Sequence, residues 1–285
     1  MTEAFARQLG WELRKLWRRP RTWVGFGVAL AFELAMMALL RLPMVQAPFL
    51  RRVWRLHQQL GVREPFSALS NAVEVGGQTM LFVGAIAIAT VAADAIAREA
   101  EEGTLRMAFC RPVSRTSVLV QRLLACLSFV VALTCFVAAT SLLIGLLFER
   151  PGQLVVVSAR ESVLGVFELG AGLARGALAI PLLCASMTSV ALVGFALSCS
   201  RLRATTAAMV AIMTLFADWV VHTHSALAAV SPYTLTTRLV SWRQVFNQEI
   251  PWLRIERNYG ELLLLDVGLV VVAWLAFRRR ALTPR

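Results

Sequence analysis

The chain has 285 residues, 58% of them hydrophobic, with mean hydropathy +0.66 and a formal net charge of +12. An ordinary soluble domain is nearer 45–50% apolar, roughly speaking, so this composition excludes one and points to a membrane protein. The arginines fall at the ends of apolar runs rather than on one soluble face, which excludes nucleic acid as a partner.

Taken in order, residues 2–19 predict an amphipathic helix. Phe5, Leu9, Leu13, Leu16 and Trp17 lie on one side, and Arg7, Arg14 and Arg18 on the other. That is the profile of a helix lying in the membrane interface, with lipid as its partner. About twenty residues precede the first apolar run and no small-x-small site follows, so no cleavable signal is expected. Arg18-Arg19-Pro20-Arg21 turns the chain into a first span, residues 22–40, with Glu33 inside it. A carboxyl at that depth is costly and makes Glu33 a candidate for the substrate path. The bland reading is a hydrogen-bonded contact between helices. Residues 41–71 read as an outer loop, in which Leu50, Val53, Trp54, His57 and Leu60 recur at helical spacing. Span two, residues 75–96, is rich in Ala and Gly, as close helix packing in lipid requires.

The connector between spans two and three holds most of the close-set charge. Glu99, Glu101 and Glu102 come first, and Gly103 breaks the helix. Leu105, Ala108 and Phe109 form a small apolar face at helical spacing, which Arg111-Pro112 stops. Ser114 stands at an N-cap position, with Val113 and Val118 placed as a hydrophobic staple. The connector therefore reads as a helix end, a short separate helix and a capped restart. Asp94, Arg98, Glu99, then Glu102-Gly103-Thr104-Leu105, then Arg111-Pro112-Val113-Ser114-Arg115 resemble the cytoplasmic loop of permease subunits of ABC-2 type ABC transporters. Gln121-Arg122 stands where that family often has a lysine.

The resemblance implies an all-α membrane protein with a cytoplasmic coupling helix between helices 2 and 3. It implies that Glu99, Glu102, Gly103, Thr104, Leu105, Phe109, Arg111, Pro112, Ser114 and Arg115 dock a separate ABC ATPase (nucleotide-binding) subunit. It further implies a second permease copy as partner, and ATP and Mg held by the ATPase rather than by this chain. The sequence agrees on nucleotide: a P-loop needs a Gly-Lys pair, and the single lysine, Lys15, follows Trp11-Glu12-Leu13-Arg14.

Span three covers residues 118–148, long enough to tilt or project beyond the membrane. Residues 149–170 read as a short outer loop. Span four, residues 173–198, carries Pro181, whose missing N–H predicts a kink. Arg201-Leu202-Arg203 makes a tight connection to span five, residues 204–221. Residues 222–259 read as outer material with short helices, and span six covers residues 261–277. The whole chain, 1–285, is then one transmembrane domain with its interfacial helix at 1–21. Six spans put both ends on one side. That side carries 17 of the 29 Lys and Arg, so the positive-inside rule predicts cytoplasmic termini in an inner membrane.

Asp218, His222 and His224 close span five, and Asp218 and His222 are one helical turn apart. Three such groups could bind a metal or share a proton, or simply satisfy one another at a helix end. The expectation is no catalytic residue and no metal. Of the two functions weighed, one is a permease subunit moving substrate, by export, or transmitting force across the membrane with ATP hydrolysed elsewhere. The other is a polytopic membrane enzyme acting on lipid or metal through Asp218, His222 and Glu33. Five cysteines without a C-x-x-C pair fit free thiols.

Overall fold

The computed structural model describes residues 2–42, 67–104, 114–158, 163–227 and 229–279. Helix α1 (Thr2–Arg18) turns at Arg19 into α2 (Pro20–Leu40), where Pro20 occupies the first helical position and needs no N–H partner. Ser67 caps α3 (Ala68–Thr79), accepting from the Ser70 amide at 3.2 Å. A π-turn, Met80–Gly84, joins α3 to α4 (Ala85–Glu101) in one continuous rod. Ser114 caps α5 (Arg115–Phe148), and α6 (Leu169–Cys199) and α7 (Ala204–Thr223) follow. Short 3-10 turns and α8 (Leu235–Leu239) lead to α9 (Trp252–Arg279).

Six of these segments are long and apolar enough to cross a membrane: Pro20–Leu40, Ala68–Glu101, Arg115–Phe148, Leu169–Cys199, Ala204–Thr223 and Trp252–Arg279. At 1.5 Å per residue, the 34 residues of α5 reach roughly 50 Å, well beyond a ~30 Å hydrocarbon core. The excess lies partly at its charged start. Helix α6 runs unbroken through Pro181.

The centre of the bundle is α4, packed against α6 and α7, while α3 packs on α5 and α9 on α6. Small side chains make this possible. A Cβ at Gly194 of α6 would sit 2.7 Å from the Ala89 carbonyl oxygen, so the two backbones touch there. Ala93 meets Ala207 and Ala208 of α7 in the same way. Larger side chains, among them Phe129 and Leu133 of α5 and Met187 and Phe195 of α6, fill the core, with Phe129 edge-on to Phe26 of α2 at 5.7 Å.

Two features depart from the sequence reading. The stretch read as a loop at 149–170 contains an antiparallel hairpin, β1 (Leu154–Ser158) with β2 (Val163–Phe167), paired from Leu154–Phe167 to Ser158–Val163. The fold is therefore all-α in its spans but carries one small sheet. Its strand-forming Val-rich runs are too short to register against long apolar helices. The hairpin is pinned to the start of α3. Ser67 Oγ donates to the Gln153 carbonyl at 2.6 Å, and the Val155 amide donates to Ser70 Oγ at 2.8 Å. The second departure is α9, which begins at Trp252 rather than Glu261, because its first turns are polar and hydropathy sees only the apolar remainder. The helix expected over Leu50–Leu60 lies outside the described residues.

Candidate functional site

The two ends of the connector are built as the sequence suggests. Helix α4 stops at Glu101, and Gly103 then takes φ +72°, a left-handed conformation that a side chain would strain. Thr104 Oγ1 donates to the Glu99 carbonyl at 3.3 Å. At the far end the Ser117 amide donates to Ser114 Oγ at 3.1 Å. Leu105, Phe109, Arg111 and Pro112 lie outside the described residues.

Around these ends the charged side chains turn inward. Glu99 is 4% exposed and Arg122 of α5 is 3% exposed, and they form an ion pair inside the protein. Arg122 Nη1 also donates to the Ala95 carbonyl at 2.8 Å. Lys15 of α1 pairs with the same carboxylate, and Arg19 stands 3.7 Å from it. Two charges out of water are costly unless geometry and extra hydrogen bonds compensate them; here Lys15, Arg19 and the Ala95 carbonyl contribute, although Arg122 Nε has no partner among the described residues. One face further out, Asp94 receives Arg21 at 3.3 Å and Arg98 at 3.4 Å, while Arg98 reaches Glu102 at 2.9 Å.

Other contacts bring in the remaining helices. Gln121 Nε2 donates to Gln8 Oε1 of α1 at 2.8 Å. The Ala204 amide, an orphan donor at the start of α7, donates to Glu101 Oε1 at 2.6 Å. Arg115 Nη1 donates to the Arg278 carbonyl near the end of α9 at 3.0 Å. Ends of α1, α2, α4, α5, α7 and α9 thus meet around one connector. Among the expected docking residues, Glu102 and Gly103 are exposed, Thr104 is half-buried and Glu99 faces the interior. The sequence reading missed Lys15 and Arg122 as members of this knot. The available signal was Arg122 itself, a cation one turn inside an apolar run, which by default seeks a carboxylate.

The other candidates lie outside this knot. Glu33 is 0% exposed, beside Thr140 of α5, and neither carboxyl oxygen has a hydrogen-bond partner among the described residues. Asp218 instead anchors α8, accepting from the amides of Leu235 (2.9 Å) and Thr236 (2.6 Å) and from the Thr236 hydroxyl (2.7 Å). His222 Nδ1 lies 3.0 Å from Thr237 Oγ1, and the Ala226 amide donates to His224 Nδ1 at 3.3 Å. Asp218 and His222 thus both hold the segment 231–237, while His224 serves the turn at Ala226. Among the described residues no group of three or more His, Cys, Asp or Glu side chains is placed to hold a metal. A second carboxyl in a spanning helix, Asp266 of α9, faces Ser189 of α6. It was equally visible in the sequence, inside span six.

No curated protein matches this chain. A family model does: the one described as ABC-2 family transporter protein matches residues 11–266, which takes in every described helix at least in part and the whole of the connector. Six apolar helices, a connector closed by a left-handed glycine and a serine cap, and that match over most of its length agree, and the chain belongs to the ABC-2 transporter family.

Proposed function

We propose that this multi-pass membrane protein is the permease subunit of an ATP-driven transporter, working with a second permease copy and separate ABC ATPase subunits that bind ATP and Mg. Residues 99–115 act as the coupling element on the cytoplasmic side, with both termini on that side of the inner membrane. The ATPase moves the connector, and the connector moves substrate across the membrane by export.

The observation that carries this reading is the convergence of helix ends on the connector. A displacement of residues 105–113 pulls directly on α4 and α5. Through Glu99 it reaches Lys15 of α1, through Asp94 it reaches Arg21 of α2, and through Glu101 it reaches the start of α7. Force applied at one loop is therefore shared by helices on several sides of the bundle. A plain polar linker between two spans has no need of such ties. The membrane-enzyme reading lacks comparable support, because Glu33 lies beside Thr140 of α5 while Asp218 and His222 are taken up in holding the segment 231–237.

Purification with an ABC ATPase expressed alongside tests the proposal. The ATPase should remain bound to the full chain, and ATP hydrolysis should require the catalytic residue of the ATPase. Turnover by the chain without that partner would contradict it.

A further inference from the structure

A cavity of about 250 Å³ lies away from the connector. Gly76 and Gly77 of α3, Ala138 of α5 and Gly176 of α6 line it, with Trp242 and Phe246 from the 3-10 segment Ser241–Phe246. Its only hydroxyl, Ser141, donates to the Ala138 carbonyl at 3.3 Å, so nothing in the lining asks for water. Apolar cavities of about 150 Å³ stay dry and take up hydrocarbon, and this one is larger.

Three observations identify the occupant. First, the lining belongs to membrane-crossing helices, and the neighbouring surface carries exposed Leu143, Leu146 and Leu147 of α5 and Leu173 and Leu178 of α6. The medium outside is therefore lipid. Secondly, the lining runs along α6 from Leu173 to Leu183, about 15 Å at 1.5 Å per residue, an elongated shape suited to a chain rather than a compact solute. Thirdly, Arg175 adjoins Gly176 in the second turn of α6. Its Nη1 donates to the carbonyls of Val245 (2.6 Å) and Asn247 (3.1 Å), its Nη2 to that of Gln248 (3.2 Å), and it lies 4.9 Å over the Phe167 ring. Among the described residues no carboxylate stands within ion-pair distance of it, so neutral carbonyls fix its direction and leave its charge uncompensated. Five N–H groups are available and three such bonds are made.

We propose that this groove holds one acyl chain of a membrane phospholipid, whose phosphate pairs with Arg175. The site is independent of the connector and of what the transporter carries. The small residues that leave the space are its specificity. A Cβ at Gly176 meets nothing within 4 Å, so a larger side chain there fills the groove without straining the fold.

The test returns the purified full chain to vesicles of phosphatidylethanolamine and phosphatidylglycerol, re-extracts it in mild detergent and counts retained phospholipid by native mass spectrometry. The wild type should keep about one per chain at this site. Each methylene displaced weakens binding about fourfold, so a leucine that excludes three or four predicts a loss on the order of a hundredfold. Gly176→Leu and, from the opposite wall, Ala138→Leu should both lose the lipid, and Arg175→Gln should weaken it. Gly268→Leu, at an exposed glycine of α9 that also faces open space, should retain it. Equal retention in wild type, Gly176→Leu and Ala138→Leu would overturn the proposal. So would no phospholipid on the wild type, a bound hydrophobe without phosphate, or filling variants that lose self-association while keeping the lipid.

Discussion

Arg122 and Glu99 meet inside the protein, where a lone charge is costly. Removing one partner of a buried pair costs about 3–5 kcal/mol, because the other is left uncompensated, whereas replacing both with apolar groups is often neutral. Glu99→Gln should therefore lower the thermal stability of the detergent-purified chain more than the double change Glu99→Gln with Arg122→Met. Thermal denaturation followed by size-exclusion chromatography measures this as a double-mutant cycle, and additive effects would show that the pair is not coupled. Gly103 makes a different demand. A β-branched residue at φ +72° strains the backbone by about 1–2 kcal/mol or more. Gly103→Val should leave the ATPase bound but reduce the fraction of its hydrolysis that drives transport, as read by ATPase and transport assays on the same vesicles.

At the scale of elements, Asp218 shows how a side chain that reads as a ligand can serve as an anchor. Its carboxylate holds the first turn of α8, a helix too short to be stable by itself. Asp218→Ala leaves two amides and a hydroxyl without an acceptor, at about 1–3 kcal/mol. Hydrogen exchange at Leu235 and Thr236 should speed up roughly tenfold or more, with little change in α6. Unchanged exchange there would show that α8 is held by packing alone. The same contrast explains what was legible in the sequence. The spans announce themselves, because apolar runs of this length have few other solutions. Gly103 and Ser114 were legible as stop and start signals because capping is local. The hairpin was hidden because its first strand, Leu154–Ser158, is pinned through Gln153 and Val155 to Ser67 and Ser70, far away in sequence. The inward turn of Glu99 depends likewise on Lys15 and Arg122. Glu101, which reads as part of a solvated acidic run, holds the Ala204 amide, a contact set by how α7 enters the bundle.

For the whole molecule, the account requires one orientation. With six spanning helices, Arg18, Arg19 and Arg21 at the start of α2 share a side with Arg201 and Arg203 before α7 and Arg278 and Arg279 at the end of α9. A reporter fused at residue 285 should therefore behave as cytoplasmic, and a signal from the opposite side would reverse the proposed topology.

The central claim is that the connector carries force between an ATPase and the helices. The most direct measurement is paired: capture of the ATPase by the full chain in membranes, and substrate-dependent ATPase rate, for single changes in the connector. Leu105→Asp and Phe109→Asp each put a charge where the proposed coupling element is to enter the partner, and an unpaired buried charge there would cost several kcal/mol, on the order of a hundredfold or more in affinity. Both should release the ATPase while the six spans still insert. Glu101→Gln keeps an oxygen for the Ala204 amide and should change neither readout. Normal ATPase capture and normal transport in both Leu105→Asp and Phe109→Asp would contradict the account.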